Sequence, residues 1–280
     1  MFLRMTVVSL ALAAILPLSA QAQAPAEAQA PAPAAAPAAP AAPAAPAAHG
    51  AHAKHEWTYS GKTGPKRWGG IKSDYVVCKT GHAQSPIDIR TNATSKSTLD
   101  PIVFEYQPSP LKIIDNGHTV QVNYAPGSGM SIGGVRHELL QFHFHTPSEE
   151  RINGKQYPLG LHLVHKNADN KLAVVALLFK LGKENPALTN IFNNLPKEAE
   201  VEQAVDGVSI DMMGILPPTQ GYYNFPGSLT TPPCSEEANW FVLKTPVDIS
   251  KAQLAQLHKL YKHNARPVQH LNGRVIKESN

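Results

Sequence analysis

Gln141-Phe142-His143-Phe144-His145 is the stretch whose reading decides the fold. Successive side chains of a β-strand project to opposite faces. As a strand it shows His143 and His145 on one face, with Phe142 and Phe144 on the other. Leu161-His162-Leu163-Val164-His165 reads as a second strand, with His162 and Val164 on one face and Leu161, Leu163 and His165 on the other. Adjacent strands would bring His162 beside the first pair. Three imidazoles leave one tetrahedral position open, which is the arrangement of a catalytic rather than a structural zinc site. His165, on the opposite face, is expected to be a structural histidine.

Outward from this pair, short alternating runs dominate. Ile102–Tyr106, Leu111–Ile114, Thr119–Tyr124, Leu172–Lys180 and Asn239–Leu243 also read as strands. Turn signals separate them, at Asp115-Asn116-Gly117, Ala125–Gly129, Ile152-Asn153-Gly154-Lys155 and Lys166–Asn170. Pro186–Leu195 and Ser250–Tyr261 read as helices, the second with Ser250 as N-cap and Leu254, Leu257 and Leu260 as apolar positions. No fixed period appears, so a solenoid or propeller is excluded. The expected fold class is mainly β with peripheral α, in one domain.

The chain has 280 residues, with two segments that cannot join a core. Residues 1–22 read as a cleaved signal peptide: Arg4, an apolar run from Val7 to Leu18, then Ala20-Gln21-Ala22. That run is too short to span a bilayer comfortably. Residues 23–54 read as an Ala/Pro-rich disordered linker, since recurrent Pro blocks a stable helix and no large apolar side chain can anchor it. His49, His52 and His55 recur near its end, and a solvated stretch is favoured there over a metal-capturing one. Residues 55–280 remain, roughly 230 residues, a size that one β-rich domain can use. The net charge of +4 comes from interspersed signs without a basic run, so nucleic acid is not an expected partner. No transmembrane segment is expected after signal cleavage, and the mature protein is expected to be periplasmic or secreted. Two cysteines, Cys78 and Cys234, most simply form one disulfide in an exported chain; thiolate metal ligation is the weaker alternative, as no C-x-x-C pair exists.

The two His-bearing strands, with Gly227-Ser228-Leu229-Thr230-Thr231-Pro232-Pro233, resemble the α-class carbonic anhydrases of the bacterial exported type. Gly64-Pro65 with Trp68, Gln84–Ile89, Asn116-Gly117-His118, Ser148-Glu149, Ala173-Val174-Val175 and Asn264-Ala265-Arg266-Pro267 extend the likeness over about Trp57 to Lys277. The resemblance implies a large twisted, mostly antiparallel central sheet, a Cys78–Cys234 disulfide, and hydration of carbon dioxide to bicarbonate. It implies Zn²⁺ on His143, His145 and His162, with hydroxide on the zinc attacking CO₂. The family's zinc-bound water has a pKa of about 7, a general property of carbonic anhydrase and not a quantity obtained from this sequence.

It further implies that Thr230 and Glu149 orient the nucleophile. A carboxylate only accepts hydrogen bonds, so Thr230 would donate to Glu149 and accept from hydroxide. Val164, Val174, Leu229 and Trp240 would wall the CO₂ pocket, and Thr231 would lie near bicarbonate. His118 would shuttle protons, with Tyr59, Gln121 and Asn123 ordering water, and Gln141 would support His143. One departure stands out. The family carries Glu two residues before its third ligand, where this chain has Gly160, and commonly His after the relay glutamate, where this chain has Glu150. The expectation is that Glu150 supplies the missing carboxylate; the alternative is a weakened or non-catalytic binding protein. A monomer or homodimer is expected.

Overall fold

The computed structural model describes residues 55–280. The signal peptide and linker expectations, with His49 and His52, lie outside the described residues. Strands dominate, with short helical turns at the periphery. The central sheet has 13 strands. Its main path runs Gln203–Ile210, Ser109–Asp115, Val120–Asn123, Val135–His145, Leu159–Lys166, Leu172–Leu181, Glu236–Leu243, Tyr222–Ser228, Lys277–Glu278, Ser95–Lys96. Most pairings are antiparallel; Leu172–Leu181 runs parallel to Glu236–Leu243.

The two faces of this sheet bury different sets of side chains. Phe142, Phe144, Leu161, Leu163, Val175 and Leu177 belong to one apolar cluster. Val174, Ala176, Leu178, Trp240 and Val242 belong to another. The period-2 alternation at positions 172–181 therefore serves two cores at once, which explains why this strand is apolar nearly throughout. His165 is fully buried on the first face, 2.8 Å from the Tyr106 hydroxyl.

Local signals set several boundaries. Asn153 and Gly154 have positive φ (52° and 79°) and turn the Arg151–Ile152/Lys155–Gln156 hairpin. Ser250 caps the helix Lys251–Leu257 through a reciprocal bond with Gln253. That helix ends before Leu260, which is exposed, so the expected helix to Tyr261 is shortened. The expected helix over Pro186–Leu195 is a 3₁₀ turn, Pro186–Leu188, followed by the α-helix Thr189–Asn193. Cys78 and Cys234 form a disulfide across a sequence separation of 156.

Candidate metal centre

Directly opposed residues on neighbouring strands project from the same face. Register places Gln121, His143, His162 and Ala176 in one row across four strands. Asn123, Gln141, Val164, Val174 and Trp240 form the next row. His145 stands opposite Gly160 in the row on the other side. The i, i+2 histidines and His162 thus meet on one face, each offering a ligand atom within 4.8 Å of the others.

Each imidazole is held through one nitrogen. His143 Nδ1 lies 2.9 Å from Gln141 Oε1, and His145 Nδ1 lies 2.8 Å from the Asn264 carbonyl. His162 Nε2 lies 3.0 Å from Glu150 Oε2. The remaining nitrogens are Nε2 of His143 and His145 and Nδ1 of His162. His145 Nε2 is buried with no hydrogen-bond partner. A buried nitrogen acceptor left unpaired is costly, and a cation satisfies it. Burial pushes His143 down to about 3 and His145 well below its ordinary value, so both are neutral donors. Burial also pushes His162 down, but the charge and hydrogen bond of Glu150, aided by Glu149, outweigh it and hold His162 above its ordinary value. Three nitrogen donors, those of His145 and His162 buried and that of His143 half-buried, with three anchored partners fit a zinc-type ion with one open position.

Gly160 explains how Glu150 reaches His162. A Cβ at Gly160 would lie 3.1 Å from Ser148 Cα and 3.2 Å from Ser148 Cβ. The Ser148–Glu150 segment packs directly on the bare backbone, so a larger side chain at this position would displace it. Ser148 is fixed there: its N–H donates to the Tyr157 carbonyl, its Oγ accepts from the Tyr157 N–H, and its carbonyl accepts from Gln156 Nε2. Gly160 therefore does not leave the third imidazole unsupported.

Glu149 is fully buried, with Oε1 accepting from the Arg266 N–H at 2.7 Å. Burial, reinforced by Glu150's charge, raises its pKa to about 7, while His162, Thr230 and Arg266 oppose that rise. Thr230 is near enough to act on Glu149, although Glu149 Oε2 has no partner in full hydrogen-bond geometry. Thr230 is buried; Leu229 and Thr231 are half-buried beside it. Trp240 stands edge-on to His162 at 4.9 Å between ring centroids, its Nε1 donating to the Ser228 carbonyl. Val164, Val174 and Trp240, being cross-strand neighbours, form a continuous apolar row beside the imidazoles.

His118 is half-buried and stacks on Trp57, 3.6 Å between centroids and 9° between planes. Burial, with His55 nearby, pushes it down to about 4. Gln121 donates to Asn123 Oδ1 and accepts from Asn116, and Asn123 donates to Glu202. Tyr59 packs edge-on against Trp57 and Trp68.

The roles of three residues escape sequence reasoning, although the residues themselves stand in the motifs and stretches quoted from the sequence. Asn264 holds His145 by a backbone carbonyl, a group every residue has. Arg266 donates to Glu149 from its backbone and to the Ser85 and Cys78 carbonyls from its guanidinium. His55, expected as a solvated linker end, lies against His118.

A three-imidazole centre on one face of a large mixed sheet defines a class of sheet protein with a candidate zinc site, and comparison supplies the family. The family model described as eukaryotic-type carbonic anhydrase matches residues 63–280. A carbonic anhydrase of Nostoc sp. is 42% identical over 226 residues, covering 80% of this chain and 86% of that protein. One from Pectobacterium carotovorum is 45% identical over 222 residues, covering 79% and 89% respectively. The solved α-carbonic anhydrase of Thermovibrio ammonificans, in complex with the inhibitor sulfanilamide, superposes with a TM-score of 0.77 at 40% identity, covering 81% of this chain and 99% of that one. The chain belongs to the eukaryotic-type, or alpha, carbonic anhydrase family. It is an enzyme of that family, whose members are zinc enzymes and whose activity is CO₂ hydration. Among the described residues, no helix is long and apolar enough to cross a membrane.

Proposed function

We propose that the protein hydrates carbon dioxide reversibly to bicarbonate and a proton, using one Zn²⁺ held by His143, His145 and His162. The observation that carries this reading is the trio of inward imidazoles, each anchored through its other nitrogen. Zinc held there supplies a Lewis acid that makes water a nucleophile near neutral pH. Gln141, the Asn264 carbonyl and Glu150 hold the rings in the orientation that directs their free nitrogens inward.

Glu149 accepts from the Arg266 N–H and, when ionised, can only accept from Thr230. The Thr230 hydroxyl, its proton committed to Glu149, offers a lone pair to the attacking oxygen's proton and so aims that oxygen at carbon. The Val164–Val174–Trp240 row and Leu229 give CO₂, which carries no charge, a dry wall, with Thr231 beside the product. His118 takes the proton that each turnover releases. Gln121, Asn123 and Tyr59 order the water through which that proton travels. The signal-like residues 1–22 and the disulfide support export to the periplasm or exterior, with residues 23–54 as a spacer, and the working form is a monomer or homodimer.

Stopped-flow CO₂ hydration by the purified protein tests this. Hydration that disappears in His143→Ala and His162→Ala supports it. Wild-type protein carrying zinc yet lacking hydration rejects it.

A further inference from the structure

The turn that carries His118 also builds a seat for a second imidazole. Gly117 has φ +80°, and a Cβ there would overlap the His55 ring. The missing side chain thus lets His55 lie over the turn. Its ring centroid is 4.5 Å from that of His118. His55 Nε2 is 3.6 Å from Glu200 Oε1, and both side chains reach solvent. Glu200 is placed by its backbone, which has φ 65° and donates to the Asp115 carbonyl at 2.6 Å. Asp115 is the residue two before Gly117, and its Oδ1 accepts from the Gly117 N–H at 2.9 Å and from the Tyr261 hydroxyl. One chain segment therefore positions His118, the floor under His55, and the carboxylate beyond it.

We propose that His55 and Glu200 form a second proton station, which takes the proton from His118 and delivers it to buffer. The inference rests on the hydration reading above. In the step, a proton leaves one His118 ring nitrogen and reaches one His55 nitrogen through an intervening water, since the tilted rings share no direct N–H···N bond, and His55 releases a proton from Nε2 towards Glu200, 3.6 Å away. The carboxylate then passes it to buffer base, and both imidazoles return to neutrality with no change in electron count. His118 is covered by Trp57 on one face and approached by His55. Held near 4 by burial and by His55, with only Asp115 pulling the other way, it gives up a proton readily. A shuttle that binds its proton weakly works best with an acceptor in contact.

The test uses zinc-loaded wild type, His55→Ala and Glu200→Gln. In dilute buffer, kcat should fall about three- to tenfold, short of the roughly hundredfold effect of a primary acid–base group. kcat/KM, which does not include proton export, should be unchanged, and added imidazole should restore kcat. Imidazole-ring NMR titration gives a readout independent of turnover: the His118 pKa should rise in His55→Ala, because the interaction with His55 that lowers it is removed. Unchanged kcat in dilute buffer, or an unmoved His118 titration, overturns the proposal. Loss of kcat/KM that imidazole does not restore overturns it too, by making His55 structural. Absence of hydration in the wild type would instead sink the hydration reading itself.

Discussion

Glu150→Gln is the most informative single substitution. Glu150 is fully buried, and its Oε2 is 3.0 Å from His162 Nε2. Gln has nearly the same shape and keeps an oxygen that can accept from the imidazole N–H, so the change isolates the charge. A hydrogen bond to a charged group contributes about 1.5–3 kcal/mol, roughly a 10- to 100-fold change in affinity, which matches the general effect of losing a carboxylate partner behind a metal-binding histidine. The zinc dissociation constant, measured by competition with a chromogenic chelator, should weaken by about 10- to 100-fold. The companion Gly160→Glu restores the family's usual carboxylate in sequence but should not rescue Glu150→Gln. Its Cβ would crowd Ser148 at 3.1–3.2 Å, and overpacking of this kind costs about 1–3 kcal/mol. Unchanged zinc affinity in Glu150→Gln would refute the reasoning, as would full rescue by Gly160→Glu.

Thr230→Ala should lower kcat/KM about a hundredfold by releasing the orientation of the attacking oxygen, while zinc content by atomic emission stays at the wild-type level. Replacing both cysteines by Ser should destabilise the fold by up to about 5 kcal/mol in urea unfolding, the loop-entropy limit for a cross-link of this span; it also loosens the turn in which the Cys234 N–H donates to the Thr231 carbonyl. In the metal-free protein, acid should be destabilising. Burial holds His143 and His165 near 3, against an ordinary 6.5 in the unfolded chain. The unfolded state then binds more protons below 6.5, so the stability these neutral rings contribute is complete above that pH and is lost as pH falls towards 3. Each contributes a slope of up to about 1.4 kcal/mol per pH unit. Denaturant midpoints that stay flat from pH 6.5 to 4.5 would contradict this.

The candidate centre was legible because its signal is local. An H-x-H pair in a strand puts both rings on one face whatever the rest of the chain does, and alternation at 161–165 separates His162 from His165. The turn at Asn153-Gly154 and the cap at Ser250 are equally local. Strands 203–210 and 222–228 carry no strand signal in the sequence, for physical reasons. The first is a polar edge with mostly exposed positions. The second contains Pro226 and Gly227, which argue against a strand, yet Pro226 is exposed opposite Asn239 near an irregularity in the ladder. Gly160 looked like a missing ligand partner, and only its packing under Ser148 shows why a glycine stands there. His55 stands at the boundary where the linker ends, in a histidine run that reads as solvated, and its place against His118 depends on Gly117, more than sixty positions further along the chain.

Zinc titration of the metal-stripped protein tests the central claim most directly. CO₂ hydration should rise in proportion to added zinc and stop rising at one equivalent per chain. Full hydration before any metal is added, or none after one equivalent has bound, would contradict the account.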